Sequence, residues 1–221
     1  MIVTLDGPAG AGKSTTARAL AARLGWCYLD TGAMYCTVAL VALEHGLPLD
    51  DGSRLAALAE SLMIRFCQGR VLVGDRDVSD LIRTEAVTRA TRPVADAPAV
   101  REAMKHLQRR LAEGIDLVTE GRDQGSEVFP TAELKVFLTA SPEERARRRH
   151  REELARGSTA SLDAVLAAQA RRDEGDRARP VGAMRPAPDA IMFETDGLSP
   201  EEVLARLVEL VDARRPREAG R

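Results

Sequence analysis

The sequence predicts an α/β fold: a parallel sheet covered by helices on both faces. Three observations point there. Short apolar segments alternate with longer segments of helical period. A glycine-rich turn separates the first apolar segment from the first helical one. Two later apolar segments, Ile115–Thr119 and Leu134–Thr139, end beside polar or glycine residues, as parallel strands do where they meet a loop. The 221 residues suffice for one sizeable core and are too few for two comfortable domains.

Taken in order, Ile2–Leu5 is a short apolar strand running into glycines. Ala17, Leu20, Ala21 and Leu24 then recur at helical spacing, and Gly25 is the expected stop. Cys27–Leu29 reads as a second strand. Thr31–Glu44 reads as a helix with Tyr35, Val38, Ala39, Ala42 and Leu43 on one face. Ile64–Gln68 and Val71–Val73 flank Gly69-Arg70 as a hairpin. Helices are expected over Thr84–Ala95 and Pro98–Glu113. Ser141-Pro-Glu-Glu144 and Ser199-Pro-Glu-Glu202 each offer a Ser cap, a Pro in the first turn and a Glu at the capping-box position. The first opens an arginine-rich helix to Arg156, with Gly157 after it. The second opens a closing helix with Val203, Leu204, Leu207, Val208 and Val211 inward, and the tail from Arg214 is expected to fray. The hairpin and the stretch from Arg145 to Arg185 read as insertions into the sheet domain.

Composition narrows the function. Lys plus Arg number 32 against 34 Asp plus Glu, a near balance that speaks against a whole-surface nucleic-acid binder. The seven aromatic residues are too scattered for a base-stacking platform. No apolar run reaches the ~18 residues of a membrane span, and Asp6 interrupts the N-terminal apolar stretch, so no membrane partner or signal segment is expected. Cys27, Cys36 and Cys67 lack metal-ligand spacing and His45, His106 and His150 lie far apart, which suits a reducing, cytoplasmic setting. Lys13, Lys105 and Lys135 are the only lysines among many arginines, so the place of Lys13 is informative.

That place is Gly7-Pro8-Ala9-Gly10-Ala11-Gly12-Lys13-Ser14, which fits G-x-x-x-x-G-K-[ST] and is followed by Thr15. A polyphosphate needs several backbone N–H groups converging on it, and residues without Cβ let the chain curl closely enough. The helix that follows adds its positive end. Lys13 is placed to reach the β- and γ-phosphates and Ser14 to ligate Mg²⁺. The pattern predicts a nucleoside triphosphate as ligand. The loop alone does not separate switches, motors and kinases. The chain contains no asparagine, so the Asn-Lys-x-Asp element of guanine-reading switches is absent, and little length remains for a motor.

Phosphoryl transfer needs cations around the moving group and exclusion of water. Arg145, Arg147, Arg148, Arg149, Arg151, Arg156, Arg171, Arg172, Arg177 and Arg179 supply the cations, interleaved with acids such as Glu144, Asp173 and Asp176. The stretch 141–185 accordingly reads as an arginine-rich lid. Glu120-Gly-Arg-Asp-Gln-Gly125 follows a strand, where polar groups face a ligand crevice. There Glu120 suits Mg²⁺, Arg122 a phosphate, and Asp123 a hydrogen-bond donor on an acceptor.

Together these segments resemble the bacterial cytidylate kinases, P-loop nucleoside-monophosphate kinases. The likeness is carried by Asp6–Ser14, Leu29-Asp-Thr-Gly-Ala-Met-Tyr35, Asp77-Val-Ser79 with Ile82-Arg-Thr84, Val100-Arg-Glu102 and Glu120-Gly-Arg-Asp123 with Val128-Phe-Pro130. Further on it runs through Phe137–Ser141 with Glu144-Arg-Ala146, then Arg172-Asp173 and Asp176-Arg-Ala-Arg179. The resemblance implies transfer of the ATP γ-phosphate to CMP or dCMP by a monomeric enzyme. It implies one domain with its core at about 1–30, 115–140 and 186–213, a nucleoside-monophosphate-binding insertion at about 31–114 and a lid at about 141–185. By the same resemblance Lys13, Arg122, Arg148 and Arg172 are catalytic, and Arg145 and Arg149 join the loop in holding ATP. Thr31, Arg101, Arg122, Asp123, Arg172, Asp176 and Arg179 hold the acceptor, and Ser14 and Glu120 the Mg²⁺. The chain departs from the family's usual residues at Cys36 (usually Arg), Arg92 (a base-contacting Ser), Gly175 (a lid Arg), and Gln124 and Ser126 (Met and Thr). Two alternatives stay open at this point: a kinase for UMP or a small hydroxylated metabolite, and a catalytically silent nucleotide-binding module.

Overall fold

The structure, a computed structural model, describes residues 1–215 apart from 68 and 156. The expectations for Gln68, Arg156 and the tail beyond Arg215 lie outside the described residues. The elements are β1 (Ile2–Asp6), α1 (Lys13–Leu24), β2 (Cys27–Asp30), α2 (Thr31–Glu44), α3 (Gly52–Ser61), β3 (Ile64–Cys67), β4 (Arg70–Val73) and β5 (Arg76–Asp77). A 3₁₀ turn at Leu81–Arg83 precedes α4 (Glu85–Asp96) and α5 (Pro98–Leu111). Then come β6 (Leu117–Gly121), a π-helical turn (Gln124–Val128), β7 (Leu134–Thr139), α6 (Pro142–Ala155), α7 (Leu162–Ala178), β8 (Ile191–Glu194) and α8 (Pro200–Asp212).

The chain divides into two compact units, Met1–Tyr28 with the chain from Ile115 onward, and Leu29–Gly114. The first holds a sheet of order β2-β6-β1-β7-β8, in which β1 runs parallel to β6 and β7, and β7 parallel to β8. A central parallel strand is covered on both faces, which is why Ile2–Leu5 is apolar but for Thr4 and why Val3, Thr4 and Leu5 have no exposure. Val118 of β6, Val136 and Leu138 of β7, Leu20 of α1 and Leu207 and Val211 of α8 complete this core. The pairing of Leu5 with Glu120 and of Asp6 with Gly121 sets the ends of β1 and β6 side by side.

The second unit packs α2, α3, α4 and α5 around Met34, Val38, Leu55, Val94 and Met104, with an antiparallel β3-β4-β5 sheet. Thr91 Oγ1 of α4 donates to Cys36 Sγ of α2 at 3.4 Å.

Several expectations shift. β6 starts two residues later than expected and runs through Glu120 and Gly121, because its ladder with β1 continues to Asp6. Helix α2 is buried on nearly all sides, Met34, Leu40 and Val41 included, while Leu43, placed on one face with Val38, Ala39 and Ala42, is exposed. At Ser141 only half of a capping box forms. Its Oγ accepts from Glu144 N at 3.3 Å, but its own N–H goes to Asp196, since Glu144 is held by Arg148. Ser199 and Glu202 form the complete reciprocal pair. Among the described residues no helix is long and apolar enough to cross a membrane.

Ser199→Ala removes the cap oxygen of α8 and leaves the Glu202 N–H to water. A loss of about 1 kcal/mol is expected, read as a Tm lowered by about 2–4 °C in a chain of this size.

Candidate active site

The phosphate loop is built by close passage. At Gly7 (φ +143°) a Cβ would lie 1.9 Å from the Leu138 carbonyl oxygen of β7, so only a residue without one lets the chain leave β1 here. Gly10 (φ +78°) passes Gln169 Nε2 and the Arg145 carbonyl so closely that a Cβ would sit 2.6 and 3.0 Å from them. The loop ends on Gly12, which caps α1 without a side-chain hydrogen bond, and no acidic residue stands in the first turn. Asp30, Asp51, Ser161 and Ser199 do cap α2, α3, α7 and α8. The first N–H groups of α1 therefore lack the side-chain acceptor those helices have, and an anion is the natural partner.

Around that helix head the structure brings together most of the first unit's expected site residues. Lys13 is buried and its Nζ donates to the Pro8 carbonyl at 2.8 Å. Ser14 Oγ donates to Oε1 of the buried Glu120 at 2.8 Å, joining the two expected Mg²⁺ ligands. Arg122 Nε donates to Asp176 Oδ2 at 2.7 Å, and Arg179 pairs with Asp176 Oδ1 at 2.8 Å, so one carboxylate of α7 spaces two guanidinium groups. Arg148 donates to Glu144, to Thr195 Oγ1 at 2.9 Å and to the Thr195 carbonyl at 3.1 Å. It lies 4.0 Å from where a Gly12 Cβ would stand. Arg149 pairs with Glu153 and Glu152 along α6. Arg145 is buried, with donors on the Ala9 and Ala140 carbonyls and on Asp173. Asp123 is buried after β6, and Arg172 adjoins Asp173 on α7.

Thr31 and Arg101 belong to the second unit. Thr31 is the buried first residue of α2. Arg101 of α5 donates to the Ala95 carbonyl at 3.0 Å and stacks 5.6 Å from the Tyr35 ring centre. Of the departures from the family pattern, Arg92 is exposed and pairs with Asp96, and Gly175 lies within α7.

The charges are loaded against one another. Burial, then the Arg122 charge, lowers Lys13 to about 7, with Arg172 adding to the effect. Burial raises Asp6 to about 7 against hydrogen bonds from the Gly125 and Gln124 N–H groups. Burial alone would raise Asp176 too, yet Arg122 and Arg179 leave it below the usual carboxylate range. Among the described residues no cluster of three His, Cys, Asp or Glu could hold a metal. Two adjacent oxygens, Ser14 Oγ and Glu120 Oε1, do fit Mg²⁺, which keeps several waters and takes the rest of its shell from phosphates.

Sequence reading left Asp6, Gln169 and Asp173 without a role, although each holds a loop of this site. Asp6 had a legible signal, a carboxylate closing an apolar strand just before the glycines. Gln169 and Asp173 had none in hydropathy, because the buried stripe of α7 (Val165, Gln169, Asp173 and Asp176) is mostly polar.

The cytidylate kinase family model matches residues 3–213. The chain belongs to the cytidylate kinase family. A cytidylate kinase of Rhodopirellula baltica is 50% identical over 96% of this chain and 92% of its own length. One of Exiguobacterium sibiricum is 50% identical over 95% of this chain and 96% of its own. Solved structures of low identity share the fold alone. An uncharacterised protein of Eubacterium ventriosum has TM-score 0.55 at 10% identity, covering 97% of this chain and 99% of its own. A Thermus thermophilus protein has TM-score 0.50 at 22% identity, covering 98% of each chain.

For a member of this family the Lys13 environment has a measurable sign. With its pKa at about 7 the free side chain is mostly neutral at pH 8, while a bound triphosphate favours the ammonium form. Binding of Mg-ATP at pH 8 therefore takes up a proton, and affinity falls as pH rises above 7, by up to about tenfold per pH unit. Calorimetry in buffers of different ionisation enthalpy reads the uptake; a binding heat indifferent to buffer contradicts it.

Proposed function

We propose that this chain transfers the γ-phosphate of ATP to CMP and dCMP, giving the diphosphate and ADP. What carries the reading is the Ser14–Glu120 contact at the uncapped head of α1, in a chain that matches the cytidylate kinases almost end to end. The reaction is an in-line displacement. An acceptor phosphate oxygen bonds to the γ-phosphorus while the bond to the β–γ bridging oxygen breaks and its electron pair stays on ADP. A nucleoside monophosphate is largely ionised at neutral pH, its second pKa being about 6, so no general base is required.

The proposed division of labour is the one the family resemblance implies. The loop Gly7–Thr15, through the amides that follow Ala9, and the Lys13 ammonium hold the β- and γ-phosphates, with Arg149, and Arg145 by way of the Ala9 backbone, on the donor side. Ser14 and Glu120 would hold Mg²⁺, which would neutralise charge on the transferring phosphates. Arg122, Arg148 and Arg172 stabilise the charge that spreads over the transferring group. Residues 31–114 serve as the acceptor-binding insertion, in which Thr31 holds the CMP phosphate and Arg101 reads the base side. Asp123 accepts from the cytosine amino group, a donor that uracil lacks, with Arg179 on the same base side, while Arg172 holds the phosphate and Asp176 the sugar. Residues 141–185 act as the lid that keeps water from becoming the acceptor.

ADP formation from Mg-ATP is measured with CMP, dCMP, UMP, AMP and dTMP in turn. The highest kcat/KM is expected with CMP and dCMP, and turnover indifferent to the monophosphate overturns the reading. Lys13→Ala is expected to lower kcat at least ~100-fold, the scale of losing a transition-state charge contact.

A further inference from the structure

Helix α7 carries Arg172 and Asp176, and its buried stripe also reaches the donor loop. Asp173 is 2% exposed and Arg145 6%. Asp173 Oδ1 accepts the Ala9 N–H at 3.3 Å, and Oδ2 accepts from Arg145 at 2.6 Å. The same guanidinium nitrogen of Arg145 donates to the Ala9 carbonyl at 2.9 Å, while Nε donates to the Ala140 carbonyl at 3.1 Å. Gln169 Nε2 lies 3.3 Å from the Arg145 carbonyl and 3.5 Å from that of Ala9. One buried ion pair thus engages both backbone polar groups of a single loop residue. An N–H and a C=O on the same residue fix its two backbone dihedrals when both are held. The next residue, Gly10, is the one that packs against Gln169 and the Arg145 carbonyl.

We propose that Arg145 and Asp173 are positioning residues for the donor. They set the backbone of Ala9 so that the amides after it converge on the triphosphate. Arg145 acts through that backbone, and Asp173, which touches no substrate in the proposed reaction, is as necessary as Arg145. The inference rests on the kinase reading above.

The test is the charge-neutral double variant, Arg145→Met with Asp173→Leu. Apolar replacement of a buried pair is commonly tolerated, whereas Asp173→Asn alone would leave a buried guanidinium uncompensated. The expected result is an ATP KM raised about 10-fold or more with the CMP KM changed by less than about threefold and Tm retained. An ATP KM within about twofold of the parent overturns the proposal. So does a parallel rise in both KM values, since a displaced α7 would move Asp176 as well. If the double variant does not fold, Arg145→Lys gives the same readout. It keeps the charge beside Asp173 but not the fork, and a rise of about threefold or more in ATP KM alone supports the proposal, while none overturns it. Direct Mg-ATP titration of parent and variants needs no acceptor, so it separates a failed clamp from a failed kinase assignment. A parent that binds Mg-ATP but shows no CMP turnover sinks the kinase reading. Equal Mg-ATP affinity in parent and variant sinks the clamp.

Discussion

The site depends on one steric constraint, the passage of the chain at Gly7 over the Leu138 carbonyl. A side chain there would meet backbone at 1.9 Å, and backbone of a central strand has no room to yield. Because the turn is that tight, the loop curls over the head of α1 and leaves its first amides without a side-chain cap. The β1–β6 register brings Glu120 to the same end of the sheet, where Ser14 meets it. Strand pairing, a missing Cβ and an uncapped helix end together make the place where the proposed triphosphate and its cation would sit.

Electrostatics gathers like charges around this loop. Lys13 is buried and shares its surroundings with Arg122 and Arg172, and its pKa is lowered first by that burial and then by the neighbouring cations. Carboxylates spread among the arginines hold them apart: Asp176 between Arg122 and Arg179, Asp173 on Arg145, Glu144 on Arg148. Such pre-placed charges need little reorganisation when phosphate arrives, which is the form of stabilisation that phosphoryl transfer uses most. Several of these arginines are thereby already committed to a carboxylate or a carbonyl, so the phosphate contacts proposed for them are shared with a role in placing the loop and helices.

Where hydropathy carried the signal, the fold was legible. The apolar runs of β1 and β7, the Ala17–Leu24 period of α1 and the Ser199 cap of α8 all lie where the residues imply. The short strands β5 and β8 and the helix α3 were missed. Two residues of β5 and four of β8 give too little periodicity to read, and α3 buries only Leu55 and Ala59. Helix α7 was missed for the opposite reason, since what it buries is charge and amide. The same cause kept Asp173 and Gln169 out of the site residues read from the sequence, while Lys13, Ser14 and Glu120 were singled out because motif spacing and strand-end position do not depend on hydropathy, and Ser14 does meet Glu120. The half-formed cap at Ser141 marks another limit: four local residues specify a capping box, but Asp196, far along the chain, takes the amide.

The claim that a triphosphate seats at the head of α1 is tested most directly by thermal unfolding across a series of Mg-ATP concentrations. A ligand bound only by the folded chain adds about 2.7 kcal/mol at a hundredfold excess over Kd. The account predicts a Tm that climbs steadily with the logarithm of Mg-ATP. A cooperative transition whose midpoint stays fixed across the series contradicts it.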